Sequence, residues 1–384
     1  MPTEPVFLIV AAEASADVHG ARLMASIARR TPGARFVGMG GPAMRAAGLE
    51  ALYRAEDLSV MGFVEVVPKL AGILGILRGL ARWAEANRPS AAILIDSADF
   101  NLRLARELRH VGIPTVGYVA PMAWAWRESR TRVLRDLDRL LCIYPFEEPW
   151  FRARGVAATY VGNPVAEDPR LGTIPDEAEC RRALGLDESR PTLALLPGSR
   201  RAELRNVLPT LLAASDRLAK EEPELQVVLP VAPTLDRAEV EALAAGARCR
   251  LILVDGRAPE ALGAADAVAV CSGTATLEAA LLVRPMVVAY RAHPVSFKIA
   301  QLLVRLPSVS IVNILAGRPI VPELLQDQLE PEALAAELLP LFRRTEARER
   351  MIRELAGLRE LLGSRRASEH AADEILQTVA DRAA

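Results

Sequence analysis

Two acids lie in the stretch ILIDSADFN, residues 93–101, at the point where a buried strand must end. Asp96 follows three branched apolar residues directly, and Asp99 comes three positions later. A carboxylate at the end of a strand can take a proton from an attacking hydroxyl group, as a general base does. Alternatively, Asp96 bonds to the turn and Asp99 caps the helix that follows. The spacing predicts either a catalytic acid pair or a capped turn.

A possible phosphate site follows in LALLPGSRRAEL, residues 193–204, which has the pattern of a strand, a tight turn and a helix. Gly198 and Ser199 can offer backbone N–H groups at a helix N-terminus, where the partial charge is positive. Arg200 adds a guanidinium, which suits phosphate. An ordinary turn with a solvated arginine pair explains the same residues.

The stretch AVAVCSGTATLEAALL, residues 267–282, repeats this pattern with more detail. The strand ends at Ser272, Gly273 and Thr274, and a helix begins at once. Thr274 and Glu278 are four residues apart and so share one helix face. The donors suit a pyrophosphate and the acid suits ribose hydroxyls, although a capped helix with an acid in its first turn is the alternative. Two such sites in one half of the chain favour a nucleotide.

Aromatic and apolar residues mark two more candidate regions. In YVAPMAWAWRESR, Trp124 and Trp126 can line a pocket in which Arg127 meets an anionic group, or the two tryptophans can pack in the core. The stretch 58–83 is strongly apolar with few cations, which suits an interfacial helix or acyl-chain groove as well as a buried helix. Its candidate acyl-chain or membrane residues are Val60, Met61, Phe63, Leu70, Ile73 and Leu74.

Composition and motifs exclude several classes of protein. The net charge of −1 argues against nucleic-acid binding, and no apolar run reaches the length needed to span a bilayer. Four widely spaced cysteines and four dispersed histidines predict reduced thiols and no metal site. The triplet Asp136-Leu137-Asp138 resembles a metal motif, but the surrounding arginines predict ion pairs instead. No GxGxxG follows a strand, so a dehydrogenase is not indicated.

Strand and helix patterns alternate along the chain, which predicts parallel sheets covered by helices on both faces. The Pro- and Gly-rich stretch that begins near residue 161 reads as a linker. We therefore expect an α/β protein with two doubly wound, Rossmann-like domains that face each other across a cleft. The predicted domains are residues 1–163 and 164–345, followed by C-terminal helices at 346–384 that pack back on the first domain.

Many motifs in order resemble the lipid-A-disaccharide synthase family, which has the GT-B fold of glycosyltransferases. They include AEASADVHGARL, FVGMGGPAMRAAG, IDSADFN, YVAPMAWAWR, VGNP, LLPGSRRAE, SGTATLEAAL, VNILAGR and PELLQ, and they span almost the whole chain. The resemblance implies that UDP-2,3-diacylglucosamine and 2,3-diacylglucosamine 1-phosphate condense to a lipid A disaccharide with release of UDP. No cofactor or metal is implied.

The resemblance also implies residue roles. Asp99 falls on the essential acid of the family and becomes the candidate base, with Asp96 beside it, and Glu278 falls on the nucleotide-binding acid. Substrate contacts are implied for Ser15, Asp17, Trp126, Arg127, Asn163, Asn313, Glu323 and Gln326. The family further implies a cytoplasmic enzyme bound peripherally to the inner face of the inner membrane, and a homodimer.

The chain departs from the usual family pattern at several motif positions. Ala12 and Ala16 stand where the family has glycine, and Gly117 stands where it has histidine. We expect the first change to narrow a ligand loop and the second to remove a polar contact. A GT-B enzyme with another lipid-linked sugar acceptor, and a non-catalytic lipid or nucleotide-sugar binding protein, are therefore the alternatives.

Overall fold

A computed structural model describes residues 4–59, 66–172, 176–293, 297, 306–363 and 366–383. The chain forms two compact units. The first unit comprises residues 1–164 together with 364–384, and the second unit comprises residues 165–363. Each unit contains its own sheet, so the prediction of two doubly wound, Rossmann-like domains is confirmed.

The first unit contains a seven-stranded parallel sheet with the order β3-β2-β1-β4-β5-β6-β7. Its strands are β1 Val6–Ala11, β2 Arg35–Gly40, β3 Glu50–Arg54, β4 Ala91–Ile95, β5 Thr115–Tyr118, β6 Arg139–Cys142 and β7 Ala158–Tyr160. Ala11 lies opposite Ile95, so β1 and β4 end side by side. Every residue of β4 is buried, because helices cover both faces of the sheet.

The helices of the first unit alternate with these strands. They are α1 Ala14–Arg30, α2 Pro42–Ala46, α3 Glu56–Ser59, α4 Val66–Asn87, α5 Ala98–His110, α6 Thr131–Leu134 and α7 Glu147–Arg152, with a 3₁₀ turn at Glu128–Arg130. The last helix of the chain also belongs to this unit. Its residues Ala371, Ala372 and Ile375 are fully buried in the same hydrophobic cluster as β1.

The second unit repeats the winding with six parallel strands in the order β10-β9-β8-β11-β12-β13. They are β8 Thr192–Leu196, β9 Gln226–Val231, β10 Arg250–Asp255, β11 Ala267–Cys271, β12 Met286–Tyr290 and β13 Glu323–Leu325. Leu196 lies opposite Val270, so β8 and β11 also end together. One continuous hydrophobic cluster fills both faces of this sheet.

The remaining helices belong to the second unit, except for the final helix of the chain. They are α8 Pro169–Gly172, α9 Glu177–Ala183, α10 Arg201–Glu221, α11 Arg237–Ala244, α12 Ala258–Ala264, α13 Thr274–Leu281, α14 Ile311–Ala316, α15 Pro331–Leu338, α16 Glu346–Gly363 and α17 Ala367–Ala383, with 3₁₀ turns at Gln326–Gln328 and Leu339–Phe342. The segment predicted as C-terminal helices is therefore divided, because α16 lies in the second unit and α17 in the first.

Three short strands, β3, β7 and β13, have no counterpart in the sequence prediction. The five residues of β3 are mostly exposed and β7 and β13 contain only three residues each, so none forms an apolar run. All three are sheet edges, where pairing with an inner neighbour decides the conformation. Over the described parts of the chain, no helix has both the length and the hydropathy to cross a bilayer.

Candidate functional site

The two sheets place their candidate residues at equivalent points. In each sheet the winding reverses beside the first strand of the unit, between β1 and β4 and between β8 and β11. Connections leave such a point in opposite directions and open a crevice at the carboxyl ends of the strands. Glu13 and Asp96 follow the two strands in the first unit, and Gly198 and Ser272 follow them in the second. Each unit therefore has a candidate site of its own.

The site of the second unit is a cavity of about 380 Å³. All seven residues that the sequence predicted for phosphate and nucleotide binding line it: Gly198, Ser199, Arg200, Ser272, Gly273, Thr274 and Glu278. Its remaining walls are largely apolar and come from the segments 230–233 and 256–259. A cavity with backbone donors at one side and apolar walls at the other suits a nucleoside diphosphate.

The turn after β8 already holds an anion, the carboxylate of Glu203. Its Oε2 accepts hydrogen bonds from the backbone N–H groups of Ser199 (3.1 Å) and Arg200 (3.2 Å). Gly198 has φ +107°, and a Cβ there would lie 2.4 Å from the same oxygen, so the turn requires glycine. Sequence reasoning missed Glu203, although an acid three residues after the N-cap is a known capping signal.

Glu278 stands half-buried on α13, one turn below Thr274. Burial raises the pKa of the Glu278 carboxyl, Arg170 opposes this shift and Asp168 adds to it. The guanidinium of Arg170 pairs with Asp168 through Nη2–Oδ2 (2.7 Å) and Nε–Oδ1 (3.1 Å), and Arg170 lines the cavity. Arg170 was not predicted, because it lies in the stretch that reads as a linker. The cavity thus contains both a hydrogen-bonding acid and exposed guanidinium groups.

Asn313 and Glu323 support this cavity from behind. Asn313 is buried, and its Nδ2 donates to Glu323 Oε1 (2.7 Å). Glu323 in turn accepts from the backbone N–H groups of Val309 (2.9 Å) and Ser310 (3.0 Å), and Ser272 Oγ donates to Val309 O (3.3 Å). The two residues therefore position the segment against which Ser272 rests, although the sequence assigned them to the substrate.

The side-chain amide of Gln326 forms hydrogen bonds within the protein. Its Oε1 accepts from the Ala292 N–H (2.6 Å) and its Nε2 donates to Ala292 O (3.1 Å). This exchange joins the end of β12 to the residue after β13. The structure thus gives Gln326 a role in holding the sheet edge.

The site of the first unit is an open cleft of about 430 Å³. Its walls include Asp96, Asp99, Trp126 and Arg130, with Glu13 at the end of β1. The two acids that the sequence singled out therefore share one cleft with the predicted tryptophan. Arg130 was not predicted, since three arginines follow Trp126 closely and the sequence does not tell which one turns inward.

Asp96 lies in a strained turn. Asp96 and Ser97 have φ values of 51° and 43°, which are uncommon for two consecutive residues other than glycine. The Asn101 amide holds this turn by donating to the carbonyl oxygens of Ile95 (3.0 Å) and Asp96 (2.8 Å), and Asp96 Oδ1 accepts from the Ser97 N–H (2.8 Å). Burial, and then the charge of Glu13, raise the pKa of the Asp96 carboxyl.

Asp99 projects into the cleft with 74% of its side chain exposed. Its Oδ1 accepts from Arg130 Nη2 (2.6 Å) and lies 3.4 Å from Arg127 Nη1. The residue at the N-cap position of α5 is Ser97, so the alternative in which Asp99 caps this helix is wrong. Its carboxylate is turned to the guanidinium groups and not to the helix.

The segment that carries Trp126 is anchored by its neighbour Trp124. Trp124 Nε1 donates to Glu147 Oε1 (2.9 Å), and Glu147 Oε2 accepts from the N–H groups of Ile143 and Tyr144 (3.1 Å each). Glu147 is fully buried, and burial raises its pKa to about 7. The two tryptophans therefore have different roles: Trp124 fixes the segment, and Trp126 lines the cleft.

Three residues of the first unit that were predicted to bind substrate are not among the residues that line this cleft. Asp17 is buried, and its carboxylate accepts from the backbone N–H groups at positions 41 (2.8 Å), 43 (2.8 Å) and 44 (3.0 Å), so it caps α2. Asn163 is fully buried, with Nδ2 3.3 Å from Ile143 O. Ser15 is exposed in the first turn of α1. Of these, Ser15 alone keeps a side chain open to a ligand.

The structure describes only part of the apolar segment at residues 58–83. Val60, Met61 and Phe63 lie outside the described residues, as does the side chain of Leu70. Ile73 and Leu74 on α4 are half-buried. Further along α4, the residues Ile76, Leu77, Leu80 and Ala84 are buried against the sheet, so this part is a core helix.

The departures from the family at Ala12, Ala16 and Gly117 lie in the core, whereas Met122, which stands where the family has serine, lines the cleft. Ala16 is fully buried and Ala12 almost so, which corrects the expectation that their methyl groups narrow a ligand loop. A Cβ on Gly117 would lie 3.0 Å from side-chain atoms of Leu137 and Leu140. A larger residue at 117 would therefore press on hydrophobic side chains before it reached the cleft.

Ion pairs account for the Asp136-Leu137-Asp138 triplet. Asp136 pairs with Arg109, and Asp138 pairs with Arg382 and accepts from the Thr115 N–H (2.7 Å). The acids do form ion pairs, but the prediction that neighbouring arginines in a helix supply the partners is wrong, because the partners are distant in sequence and the acids lie in a turn before β6. In the described parts of the chain, no group of three or more His, Cys, Asp or Glu residues could hold a metal ion.

Known proteins resemble this chain over nearly its whole length. A family model described as Lipid-A-disaccharide synthetase matches residues 7–378. Lipid-A-disaccharide synthase of Myxococcus xanthus (strain DK1622) is 48% identical over 379 residues, which is 98% of each chain. The enzyme of the same name from Anaeromyxobacter sp. (strain K) is 52% identical over 371 residues, or 96% of each chain.

Solved structures support the fold. The calicheamicin glycosyltransferase CalG4 superposes with a TM-score of 0.63 at 16% identity and covers 99% of this chain and 100% of its own. MurG of Acinetobacter baumannii gives a TM-score of 0.60 at 13% identity, with 97% and 99% covered. At such identities the likeness concerns the fold alone.

Proposed function

Because the chain belongs to the lipid-A-disaccharide synthetase family, we propose that it transfers a diacylated glucosamine from UDP to an acylated glucosamine 1-phosphate. The 6-hydroxyl of 2,3-diacylglucosamine 1-phosphate attacks the anomeric carbon of UDP-2,3-diacylglucosamine. A new C–O bond forms, the bond to UDP breaks, and configuration at the anomeric carbon inverts. The observation that carries the proposal is identity of about half the residues over nearly the full length of named relatives.

The second unit binds the nucleotide in this proposal. The pyrophosphate lies against the turn at Ser272–Thr274, where the N-terminus of α13 offers N–H groups. At the neighbouring turn the N–H groups of Ser199 and Arg200 bond to Glu203, so the Arg200 side chain is the donor there. Arg200, whose side chain is 80% exposed, is free to turn from Glu203 towards the ligand. Glu278 accepts hydrogen bonds from the ribose. These preorganised donors stabilise the negative charge that UDP takes with it.

The first unit supplies the base. Asp99 has its carboxylate exposed in the cleft, where it can take the proton of the acceptor hydroxyl. Asp96 lies deeper in a strained turn, and its raised pKa reflects burial next to Glu13. We assign Asp96 the task of shaping the turn that presents Asp99, since Asn101 holds the backbone of Asp96 just before the helix that carries Asp99. Ser15 contributes polar contacts to the sugar.

The test is an assay with both substrates that measures UDP release and detects the disaccharide phosphate by mass spectrometry. Wild-type protein should produce both in equal amounts, and Asp99→Asn should lose most of the turnover. A diverged GT-B enzyme would be favoured if turnover occurred only with a different lipid-linked sugar in place of the 1-phosphate acceptor. Tight binding of both substrates without any turnover would favour a binding protein.

Attachment to the membrane surface rests on α4 and the apolar segment before it. Ile73 and Leu74 are half-buried, whereas Ile76, Leu77, Leu80 and Ala84 further along α4 are buried, so Ile73 and Leu74 can contact acyl chains. We therefore propose that the protein acts on the cytoplasmic face of the inner membrane. Sedimentation with anionic lipid vesicles tests this, and replacing both residues by serine should weaken it. The homodimer stays a prediction, which light scattering of the purified protein tests.

A further inference from the structure

The cleft of the first unit contains two guanidinium groups on one tryptophan. The Cζ atoms of Arg127 and Arg130 lie 4.4 Å and 5.1 Å from the ring centroid of Trp126. Both groups also reach the same carboxylate oxygen, Asp99 Oδ1. Arg127 is placed by a left-handed backbone conformation with φ 57°, which costs free energy and is uncommon outside glycine. The surrounding structure therefore holds these side chains in place next to the proposed base, although the conformation of Arg127 costs free energy.

The group on Trp126 has two guanidinium groups and one carboxylate, Asp99, because the nearby acid Glu128 is paired with Arg154 (2.7 Å). Two further acids, Glu13 and Asp96, line the same cleft, so the positive surplus is confined to the group on Trp126. The Arg130 side chain is only 13% exposed, so its position is held by packing, whereas Arg127 is 53% exposed and can move. Two positive charges on an aromatic face suit a dianion such as a phosphate monoester, to which guanidinium groups bind through paired hydrogen bonds.

Stability does not explain the arrangement. Asp99 is largely exposed, and an ion pair with an exposed carboxylate contributes little to folding because water screens it. The pairing also bears on the proposed chemistry, because both guanidinium groups bond to Oδ1 of Asp99 and so compete there with the hydroxyl group of an alcohol. A base must reach the proton directly. A ligand that draws the guanidinium groups away would free this oxygen.

We propose that Arg127 and Arg130, stacked on Trp126, bind the phosphate monoester of the acceptor and thereby release Asp99 to act as the base. The inference rests on the proposed function and adds a binding site for the 1-phosphate. When the phosphate takes both guanidinium groups, Asp99 Oδ1 accepts the proton of the 6-hydroxyl. That hydroxyl oxygen forms the new bond to the anomeric carbon, and the electron pair of the broken bond leaves with UDP.

The experiment compares two acceptors, 2,3-diacylglucosamine 1-phosphate and 2,3-diacylglucosamine without phosphate. The variant Arg127→Gln/Arg130→Gln should raise KM for the phosphorylated acceptor at least tenfold, with little change in KM for the UDP-sugar. Turnover of the phosphate-free acceptor should stay equal or rise, because Asp99 is no longer held. The preference for the phosphorylated acceptor should therefore fall at least tenfold.

Arg35→Gln is the matched control. Arg35 is also an exposed arginine paired with an acid, Glu50 (2.8 Å), but it lies at the start of β2, at the opposite end of the sheet. This variant should keep the acceptor preference, and thermal melting checks that every variant is folded. Arg130→Lys, which keeps the charge and loses the paired hydrogen bonds, should fall between wild type and the double variant.

The outcomes separate the inference from the function on which it rests. An unchanged preference in a folded Arg127→Gln/Arg130→Gln variant would overturn the phosphate site while leaving the glycosyltransferase intact. An equal loss of preference in Arg35→Gln would overturn it as well, since the effect would then not belong to the cleft. Absence of disaccharide from wild-type protein with the phosphorylated acceptor would overturn both.

Discussion

The carboxyl edges of the two sheets differ in how they present chemistry, although both sheets have the same order of winding. In the second unit the donors are backbone N–H groups, and the turn at Gly198 uses glycine to bring them forward. In the first unit the edge consists of side chains, and Asp96, Ser97, Val119 and Arg127 adopt left-handed conformations without glycine. A backbone edge suits binding of an anion, and a side-chain edge suits proton transfer.

The two edges should therefore respond differently to amino-acid substitution. The side-chain edge depends on anchoring side chains such as Asn101 and Glu147, whereas the backbone edge depends on turns and helix ends. Replacing a side chain should therefore abolish catalysis in the first unit and weaken nucleotide binding in the second. Four substitutions examine the comparison, in order of decreasing effect.

Asp99→Asn should lower kcat by about 10²- to 10⁴-fold, because the amide cannot accept the proton of the acceptor hydroxyl. Its affinity for UDP, measured by calorimetry, should equal that of wild type, since the cavity of the second unit is unchanged. Asp373→Asn removes another exposed acid paired with an arginine of the first unit and should leave kcat unchanged. Full activity of Asp99→Asn would show that the side-chain edge is not catalytic.

Glu147→Gln should destabilise the first unit by about 1–3 kcal/mol, because the amide leaves buried N–H donors without an acceptor. The wild-type carboxyl has a raised pKa of about 7, so the folded state binds its proton more tightly than the unfolded state. The free energy of unfolding should thus fall as the pH rises from about 4.5 to about 7. Glu147→Gln should lack this part of the decline.

Urea unfolding at pH 5 and pH 7.5 measures both effects. Glu128→Gln, which removes a largely exposed acid, serves as the control and should resemble wild type at each pH. An identical pH dependence in Glu147→Gln and wild type would show that the carboxyl does not titrate in this range. The anchor of the tryptophan segment would then be pH-independent.

Gly198→Ala should weaken UDP binding about tenfold. The left-handed conformation strains alanine, and the new methyl group would collide with the Glu203 carboxylate and displace the turn. Gly246→Ala is the matched control in the same unit, because a Cβ there meets nothing within 4 Å. If calorimetry gave both variants the wild-type affinity, the backbone edge would not form the anion site.

Glu278→Ala should have the smallest effect, a loss of about threefold to tenfold in UDP affinity from one hydrogen-bonded carboxylate. The loss should vanish when 2′,3′-dideoxy-UDP replaces UDP, because the ribose then lacks the hydroxyls that Glu278 accepts from. Glu241→Ala, at an exposed acid of α11, should bind both nucleotides as wild type does. An equal loss for both nucleotides would place Glu278 away from the ribose.

Sequence patterns located the residues of the second cavity correctly because each pattern is local. A strand, a glycine turn and a helix start within ten residues, so their geometry follows from the order of residue types. Local patterns do not contain the contacts of Asp17, Asn313, Glu323 and Gln326, whose partners are not adjacent, and the substrate roles that the resemblance implies for them stay predictions. Asp17 caps a helix about 25 positions away, and Gln326 bonds to the backbone at 292. Long-range packing decides which donors a polar side chain meets.

The order of residues alone determined the two parallel sheets and the chemistry at the end of each inner strand. Buried strands and helix starts depend on the types of neighbouring residues, so a local pattern is enough to predict them. The tertiary structure decided the short edge strands, the return of α17 to the first unit and the pairing of Asp99 with Arg127 and Arg130. Those features arise where segments distant in sequence meet, and the free energy of such contacts depends on neighbours that a local pattern does not contain.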